Sequence, residues 1–199
     1  KQAHLPITAE TCLHYLIFTK ENVVEKGPYL RVNPSLKSED DKKALWDALV
    51  SQIIDAVATD HAPGTKKEKN IGWTDIWKAQ IGIPGVETLL PLLLTLGVGE
   101  GRLTMERAVD VVSTRPAQIF GLYPKKGIIR KGSDADLVIL NFGRKKTIRA
   151  SNLHYKVGWT PYEGMVLTAY PTMTISRGEI IYEDNQILGK PGRGNYLPL

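Results

Sequence analysis

The first half of the chain alternates short apolar runs with amphipathic stretches. A β-leaning run predicts a strand near residues 5–12. Ser38 and the three acidic residues after it predict a helix start, because serine caps free N–H groups and acids favour the positive end of the helix dipole. Apolar residues then recur at helical spacing to about Val50. The apolar run 53–59 follows and predicts a buried parallel strand, so the order of these elements indicates an α/β fold.

Further helices are predicted downstream, and the chain changes character after residue 123. Pro84 begins a predicted helix with a kink at Pro91, and Thr104 caps another. Glycines then separate short β-leaning runs, a pattern typical of small β-rich domains. We therefore predict an α/β domain over residues 1–123 and a small β-rich domain over residues 124–199.

Composition and charge exclude several classes of protein. The 199 residues contain 26 Lys and Arg against 21 Asp and Glu, giving a net charge of +5, and 42% are hydrophobic, which is ordinary for a globular protein. Interleaved aromatic residues and nucleic-acid motifs are absent, so we expect no nucleic-acid partner. The apolar run 89–96 is far shorter than the roughly 20 residues that span a bilayer, so no membrane partner is expected. Cys12 is the single cysteine, which is compatible with a reducing, cytoplasmic location.

Asp60 directly follows the predicted strand 53–59. Reactive groups of α/β barrels lie at the carboxyl ends of parallel strands. A carboxylate there can bind a metal and exchange a proton with a nearby water. The alternative is that Asp60 caps the following turn and that His61 packs below it.

Other polar residues admit a functional and a structural interpretation. Asn33 precedes Pro34, which restricts it to extended geometry, and its amide could both donate to and accept from a cyclic amide. A simple turn residue is the alternative. We interpret His14 as a structural histidine and Cys12 as a buried free thiol, because no partner base is identifiable for Cys12.

Several segments of the chain together resemble the cyclic amidohydrolase family, and within it the dihydroorotases, with allantoinase and dihydropyrimidinase as relatives. These segments are residues 9–16 (AETCLHYL), 31–36 (RVNPSL), 58–63 (ATDHAP), 82–88 (GIPGVET), 115–122 (RPAQIFGL) and 127–138 (GIIRKGSDADLV). They cover nearly the whole chain in the family's order.

The resemblance implies a fold, a cofactor and a set of site residues. It implies the carboxyl-terminal part of a (β/α)8 TIM barrel with a small appended β-sandwich, in which one or two zinc ions activate a water that attacks a cyclic amide. By this resemblance Asp60 binds metal and transfers the proton, Asn33 binds substrate, and the backbone at Ile81 and Gly82 holds the ring. The implied activity is that of a dihydroorotase in pyrimidine biosynthesis, or alternatively of an allantoinase or a dihydropyrimidinase (hydantoinase).

The sequence departs from the family pattern in two ways. Gly64 stands where dihydroorotases carry a substrate-binding histidine. The remaining metal ligands, namely a His-x-His pair, a bridging lysine or aspartate and two further histidines, have no match in the chain. We therefore expect a carboxyl-terminal portion that alone is inactive and binds zinc weakly or not at all. A non-catalytic scaffold of the same family is the alternative. The resemblance also implies a homo-oligomer and aspartate transcarbamoylase as a possible protein partner.

Overall fold

A computed structural model describes residues 5–198, so residues 1–4 and 199 of the two predicted domains lie outside the described residues. The α-helices are α1 (Leu13–Ile17), α2 (Lys20–Lys26), α3 (Glu39–Val50), α4 (Lys66–Asn70), α5 (Leu89–Leu93), α6 (Met105–Val109) and α7 (Arg115–Ile119). The strands are β1 (Glu10–Cys12), β2 (Ala56–Ala58), β3 (Leu137–Asn141), β4 (Lys146–Thr147), β5 (Val166–Leu167), β6 (Tyr170–Ser176), β7 (Glu179–Glu183) and β8 (Gln186–Ile187). Short 3-10 turns lie at Gly27–Leu30, Ile71–Trp73, Ile76–Lys78 and Ala150–Asn152.

The chain forms two compact units. The first runs up to Leu90 and includes Thr147–Val166, and the second comprises Pro91–Lys146 and the chain from Leu167 onward. The predicted boundary between residues 123 and 124 stays a prediction. Among residues 5–198, none of the helices is long and apolar enough to cross a membrane.

A parallel pair of strands forms the centre of the first unit. β1 and β2 pair in parallel with Cys12 opposite Ala58. Each strand has three residues and is therefore shorter than the predicted strands over residues 5–12 and 53–59. Asp55 sets this register, because its backbone N–H donates to the Ala9 carbonyl at 2.8 Å and its carboxylate accepts from the Ala9 N–H at 2.9 Å. Helix α1, which directly follows β1, and the loop that follows β2 therefore both leave the same edge of the pair.

Helix α3 confirms the prediction made from its capping residues. The Ser38 hydroxyl accepts from the Asp41 N–H at 3.3 Å, and the Asp41 carboxylate accepts from the Ser38 N–H at 3.0 Å, which forms a capping box. On its buried side, the Trp46 indole N–H donates to the Leu16 carbonyl at 2.9 Å. This bond joins α3 to α1, the helix that directly follows β1.

The helix predicted to begin at Pro84 begins instead at Leu89, so that prediction is wrong. The N–H groups of Thr88 and Leu89 both donate to the Gly85 carbonyl, which folds residues 85–88 into turns before the helix. Pro91 lies in the first turn of α5, where its missing N–H removes no helical bond. Wider π-type turns continue the second unit's helices at Leu94–Val98, after α5, and at Asp110–Thr114, between α6 and α7.

The second unit carries an antiparallel sheet with strand order β3-β6-β7-β8. Irregularities interrupt the register between Ile139 and Leu140 and between Thr174 and Ile175. The β-leaning runs of the sequence thus form strands here. Thr104 caps α6 as predicted, because its hydroxyl accepts from the Arg107 N–H at 3.2 Å.

The Asp55 contacts generate a prediction for the stability of the full-length protein. Replacing Asp55 with Ala removes a buried carboxylate acceptor and is expected to lower the free energy of unfolding by about 1.5–3 kcal/mol. Asp55→Asn keeps an acceptor oxygen and should lose less. Denaturant unfolding of both variants measures the difference, and equal losses would contradict the role given to the carboxylate.

Candidate functional site

Three loops that carry site residues predicted from the sequence are joined by hydrogen bonds at the carboxyl ends of β1 and β2. We call them the asparagine loop (residues 31–34), the aspartate loop (residues 60–64) and the ring loop (residues 79–85). The Gly82 N–H donates to the Arg31 carbonyl at 2.9 Å, and the Ala62 N–H donates to the Ile83 carbonyl at 3.1 Å. The ring loop therefore lies between the other two, and the segments that carry Asn33, Asp60, Ile81 and Gly82 are neighbours.

Asp60 lies at a sharp change of chain direction after β2. Its φ of +46° is in the left-handed region, which aspartate tolerates better than most residues. The side chain is exposed in the described part of the chain. The negative charge of Asp60 contributes to raising the pKa values of Cys12 and Tyr15. It also acts to raise the pKa of buried His14, against the larger opposite effect of burial.

His61 fixes the aspartate loop to the chain that leads into α5. Its Nδ1 accepts from the backbone N–H groups of Gly85 at 3.0 Å and Val86 at 3.2 Å. A nitrogen that accepts these bonds is unprotonated, so a neutral ring carries its proton on Nε2. His61 therefore holds the loop that follows Gly82, a role that its sequence context did not indicate.

Two cations bind the carbonyl groups at the start of the ring loop. The Arg31 guanidinium donates to the Ala79 carbonyl and lies over the exposed Trp77 ring, 5.8 Å from its centroid. Lys69 is fully buried and donates to the Gln80 carbonyl at 2.7 Å. Burial lowers the pKa of Lys69 to about 8, and the charge of Arg31 acts in the same direction. Both carbonyls before Ile81 are thus held by positive groups.

Gly82 permits a close approach between the ring loop and the aspartate loop. Its φ is +103°, and a Cβ atom at this position would lie 2.4 Å from the Ala62 carbonyl oxygen. Backbone cannot yield at that distance, so the residue must be glycine for the two loops to meet.

Gly64 has a packing role that its sequence position did not reveal. It is buried, and a Cβ atom there would lie 2.5 Å from Cγ of Gln80 and 2.7 Å from its Cβ. The Gly64 carbonyl accepts a 2.8 Å hydrogen bond from the indole N–H of Trp159, and Lys69 lies 5.5 Å from the centroid of that indole ring. A histidine cannot enter this arrangement without moving Gln80, so the family's substrate-binding side chain has no equivalent at this position.

Tyr15 connects the asparagine loop to the helix after β1. Its hydroxyl donates to the Pro34 carbonyl at 2.6 Å, next to the exposed Asn33. Cys12 is a free thiol, as predicted, but it is only half-buried. This partial burial raises the pKa of Cys12 to about 11, with the charge of Asp60 as the next cause, so the thiol stays protonated and unreactive. The sequence analysis did not identify Tyr15, because nothing local marks a bond across 19 residues.

His154 and Tyr155, which lie far along the sequence in the same unit, bind Glu87 in the turns that follow the ring loop. The Glu87 carboxylate accepts from the His154 backbone N–H at 2.8 Å and lies 2.9 Å from His154 Nδ1. The Tyr155 hydroxyl accepts from the Glu87 N–H at 2.7 Å. Sequence alone could not find this contact, because 67 residues separate its partners.

The described residues do not by themselves fit a zinc centre. Residues 5–198 contain no group of three or more His, Cys, Asp or Glu side chains arranged to hold a metal ion. Asp60 is the one candidate ligand among the predicted site residues, and His61 Nδ1 is already occupied by backbone donors. A metal would therefore need ligands from outside this part of the protein.

Comparison with known proteins identifies related sequences. The model of the amidohydrolase family matches residues 2–181. The chain is 37% identical over 191 residues to an L-hydantoinase of Paenarthrobacter aurescens, covering 96% of this chain and 42% of that protein. It is 41% identical over 186 residues to a dihydroorotase of Halobacterium salinarum, covering 94% of this chain and 43% of that protein. The chain thus spans less than half the length of these relatives.

Solved structures agree with the sequence comparison. The L-hydantoinase (dihydropyrimidinase) from Arthrobacter aurescens matches with a TM-score of 0.91 and 36% identity, covering 95% of this chain and 42% of that one. The dihydropyrimidinase from Brevibacillus agri matches with a TM-score of 0.94 and 31% identity, covering 98% and 43%.

The close approach at Gly82 generates a prediction. Gly82→Ala should lower the free energy of unfolding of the full-length protein by about 2–5 kcal/mol, because a left-handed backbone costs an alanine about 1–2 kcal/mol and the clash with the Ala62 carbonyl adds about 1–3 kcal/mol. Gly101→Ala is the matched control, since Gly101 also has a positive φ, +72°, but open space around it. The control should lose only about 1–2 kcal/mol. Denaturant unfolding of both variants tests this, and equal losses would contradict it.

Proposed function

Since the chain belongs to the amidohydrolase family, we propose that the whole protein hydrolyses the amide C–N bond of a neutral cyclic ureide, such as a hydantoin or a dihydropyrimidine. The chain would supply the last part of a (β/α)8 barrel and most of an appended β-sandwich. The single observation that carries the proposal is the joining of the asparagine, aspartate and ring loops at one edge of the parallel strand pair.

Each loop supplies a different interaction with such a ring. The Asn33 amide can donate to a ring carbonyl and accept from a ring N–H. On the ring loop, the Ile81 N–H can donate and the carbonyls of Ile81 and Gly82 can accept, whereas the Gly82 N–H already donates to the Arg31 carbonyl. Arg31 and Lys69 hold the two carbonyls that precede Ile81. A ring held in this way presents one amide carbonyl to a water beside Asp60, which is the orientation that hydrolysis requires.

Asp60 would carry the proton during the reaction. As the water oxygen bonds to the ring carbonyl carbon, the carboxylate accepts a proton from the water. As the C–N bond breaks, it returns that proton to the leaving nitrogen. Amidohydrolases generally depend on a metal. Because the described residues do not hold one, the role assigned here to Asp60 is limited to the proton.

Gly64 supports a neutral ring over one that bears a carboxylate. A substrate such as dihydroorotate needs a donor for its carboxylate, and position 64 has no side chain and no room for one. Arg31 and Lys69, the two cations that bind the ring loop, already donate to backbone carbonyls. Burying an unpaired carboxylate is costly, so this site favours an uncharged substrate.

Dihydroorotase activity is the second candidate. The identity of 41% to a protein named dihydroorotase favours it. The two candidates differ in one respect that can be measured, namely whether a carboxylate on the ring improves or impairs turnover.

The test uses the full-length protein with hydantoin, dihydrouracil, allantoin and dihydroorotate. We expect kcat/KM to be higher for hydantoin or dihydrouracil than for dihydroorotate. A preference for dihydroorotate would establish the second candidate. Turnover of none of the rings would contradict the catalytic proposal and favour a scaffold protein.

Asp60→Asn should reduce kcat for the preferred ring by about 10²–10⁴-fold, because the amide cannot accept the proton. Asparagine tolerates the left-handed backbone at this position, so the loop should keep its conformation. Asp47→Asn, on the exposed face of α3, is the matched control and should retain full turnover. Full turnover by Asp60→Asn would remove the proposed proton transfer.

A further inference from the structure

Lys69 carries a buried positive charge that no carboxylate pairs with in residues 5–198. Its ammonium group donates to the Gln80 carbonyl at 2.7 Å and lies 5.5 Å from the centroid of the Trp159 indole ring. Burying an ammonium group without a carboxylate costs stability, and an apolar side chain of the same length would fill the space without that cost. The charge therefore calls for an explanation beyond packing.

The peptide unit that Lys69 binds has a free N–H group at its other end. The carbonyl of Gln80 and the N–H of Ile81 belong to one planar peptide unit. Ile81 is exposed, and within the described part of the chain its N–H has no hydrogen-bond acceptor. This N–H is the donor that the proposed function assigns to the ring loop. The buried charge thus binds one end of a peptide unit whose other end is available to a ligand.

The two neighbouring N–H groups of the ring loop are already bonded. Arg31 binds the preceding carbonyl, but the N–H of that peptide unit, on Gln80, donates to the Glu68 carbonyl at 3.2 Å. The Gly82 N–H donates to the Arg31 carbonyl at 2.9 Å. Of these three successive N–H groups, the one left without an acceptor among the described residues is that of Ile81, on the peptide unit that Lys69 binds.

A hydrogen bond to a carbonyl oxygen polarises the whole peptide unit. Electron density moves toward the oxygen and the N–H becomes more positive, so that hydrogen bonds in such a chain strengthen one another by about 10–30%. A charged donor makes a stronger bond than a neutral one, and a buried charge is less screened than a charge in water. A buried ammonium group is therefore well suited to strengthen the N–H at the other end of its peptide unit.

We propose that Lys69 polarises the peptide unit between Gln80 and Ile81 and thereby strengthens the hydrogen bond from the Ile81 N–H to the ureido carbonyl of the substrate. The ureido carbonyl lies between the two ring nitrogens and is not the carbonyl that water attacks. Lys69 does not touch the ring and is a positioning residue, whose effect is on substrate binding. The inference rests on the proposed function, because it names the ring group that the ring loop recognises.

Lys69→Met removes the charge and the donor and keeps a side chain of similar length. KM for the preferred ring should rise about 3–10-fold with kcat within about twofold of the parent value, because a bond made equally in the ground state and the transition state is weakened. Lys69→Gln is polar but uncharged and should raise KM at least about twofold.

An analogue of the ring with sulfur in place of the ureido oxygen separates polarisation from a displaced loop. Sulfur is a weak hydrogen-bond acceptor, so this analogue gains little from the Ile81 N–H. Polarisation predicts that its inhibition constant changes less than about twofold in Lys69→Met. A displaced ring loop would instead weaken the binding of both rings equally.

Arg193→Met is the matched control. It removes another cation that binds a backbone carbonyl, that of Ser176 at 2.8 Å, and it lies in the second unit. KM and the inhibition constant should both stay at their parent values in this variant.

The experiment measures kcat and KM for the preferred ring, the inhibition constant of its sulfur analogue and the thermal midpoint, in the full-length enzyme and these three variants. A raised KM in Lys69→Met with unchanged binding of the sulfur analogue supports the proposal. An unchanged KM overturns it, as does an equal loss of binding for both rings.

Lys69→Gln decides the outcome if Lys69→Met does not fold. A KM raised for the oxygen ring alone then supports the proposal, and an unchanged KM overturns it, because a neutral side chain would suffice. A parent enzyme that opens no ring would refute the proposed function, which is a different result from an active parent whose Lys69 variants bind both rings as the parent does.

Discussion

The candidate site depends on the backbone hydrogen bonds that hold the ring loop between the other two loops. Gly82 donates to the Arg31 carbonyl, and the next carbonyl, that of Ile83, accepts from Ala62. These two bonds decide that residues far apart in the sequence share one edge of a parallel strand pair. They also require a residue without Cβ at Gly82, because its neighbour is a backbone oxygen. Without this approach, the predicted site residues would be separate surface features.

Several residues in and next to the three loops are buried or held in ways that lower the stability of the protein. Lys69 is fully buried and His14 is buried without a partner among the described residues. Lys69 is compensated by the Gln80 carbonyl on the ring loop and by the indole of Trp159, whose N–H binds the aspartate loop at the Gly64 carbonyl. Asp60 adopts a left-handed backbone. Features that cost stability concentrate at functional sites, and here they concentrate around the three loops.

The sequence predicted local structure best where a side chain determines it within a few residues. Ser38 and Thr104 cap the helices that the pattern predicts, and glycine-separated runs form strands. The prediction for the start of α5 was wrong because Pro84 suits a turn as well as a first helical position. The Gly85 carbonyl accepts from the N–H groups of Thr88 and Leu89, and these bonds favour the turn. The candidate residues Asp60, Asn33, Ile81 and Gly82 came from family resemblance and strand order. Their supports leave no local signal, because Lys69, Tyr15 and Trp159 bind backbone carbonyls that lie 11, 19 and 95 residues away.

A crystal structure of the full-length protein with a bound cyclic ureide tests the central claim most directly. The account predicts that the ring hydrogen-bonds to the Asn33 amide and to the backbone of Ile81 or Gly82, with its amide carbon facing Asp60. A ring bound elsewhere, with the three loops still joined as described here, would contradict it.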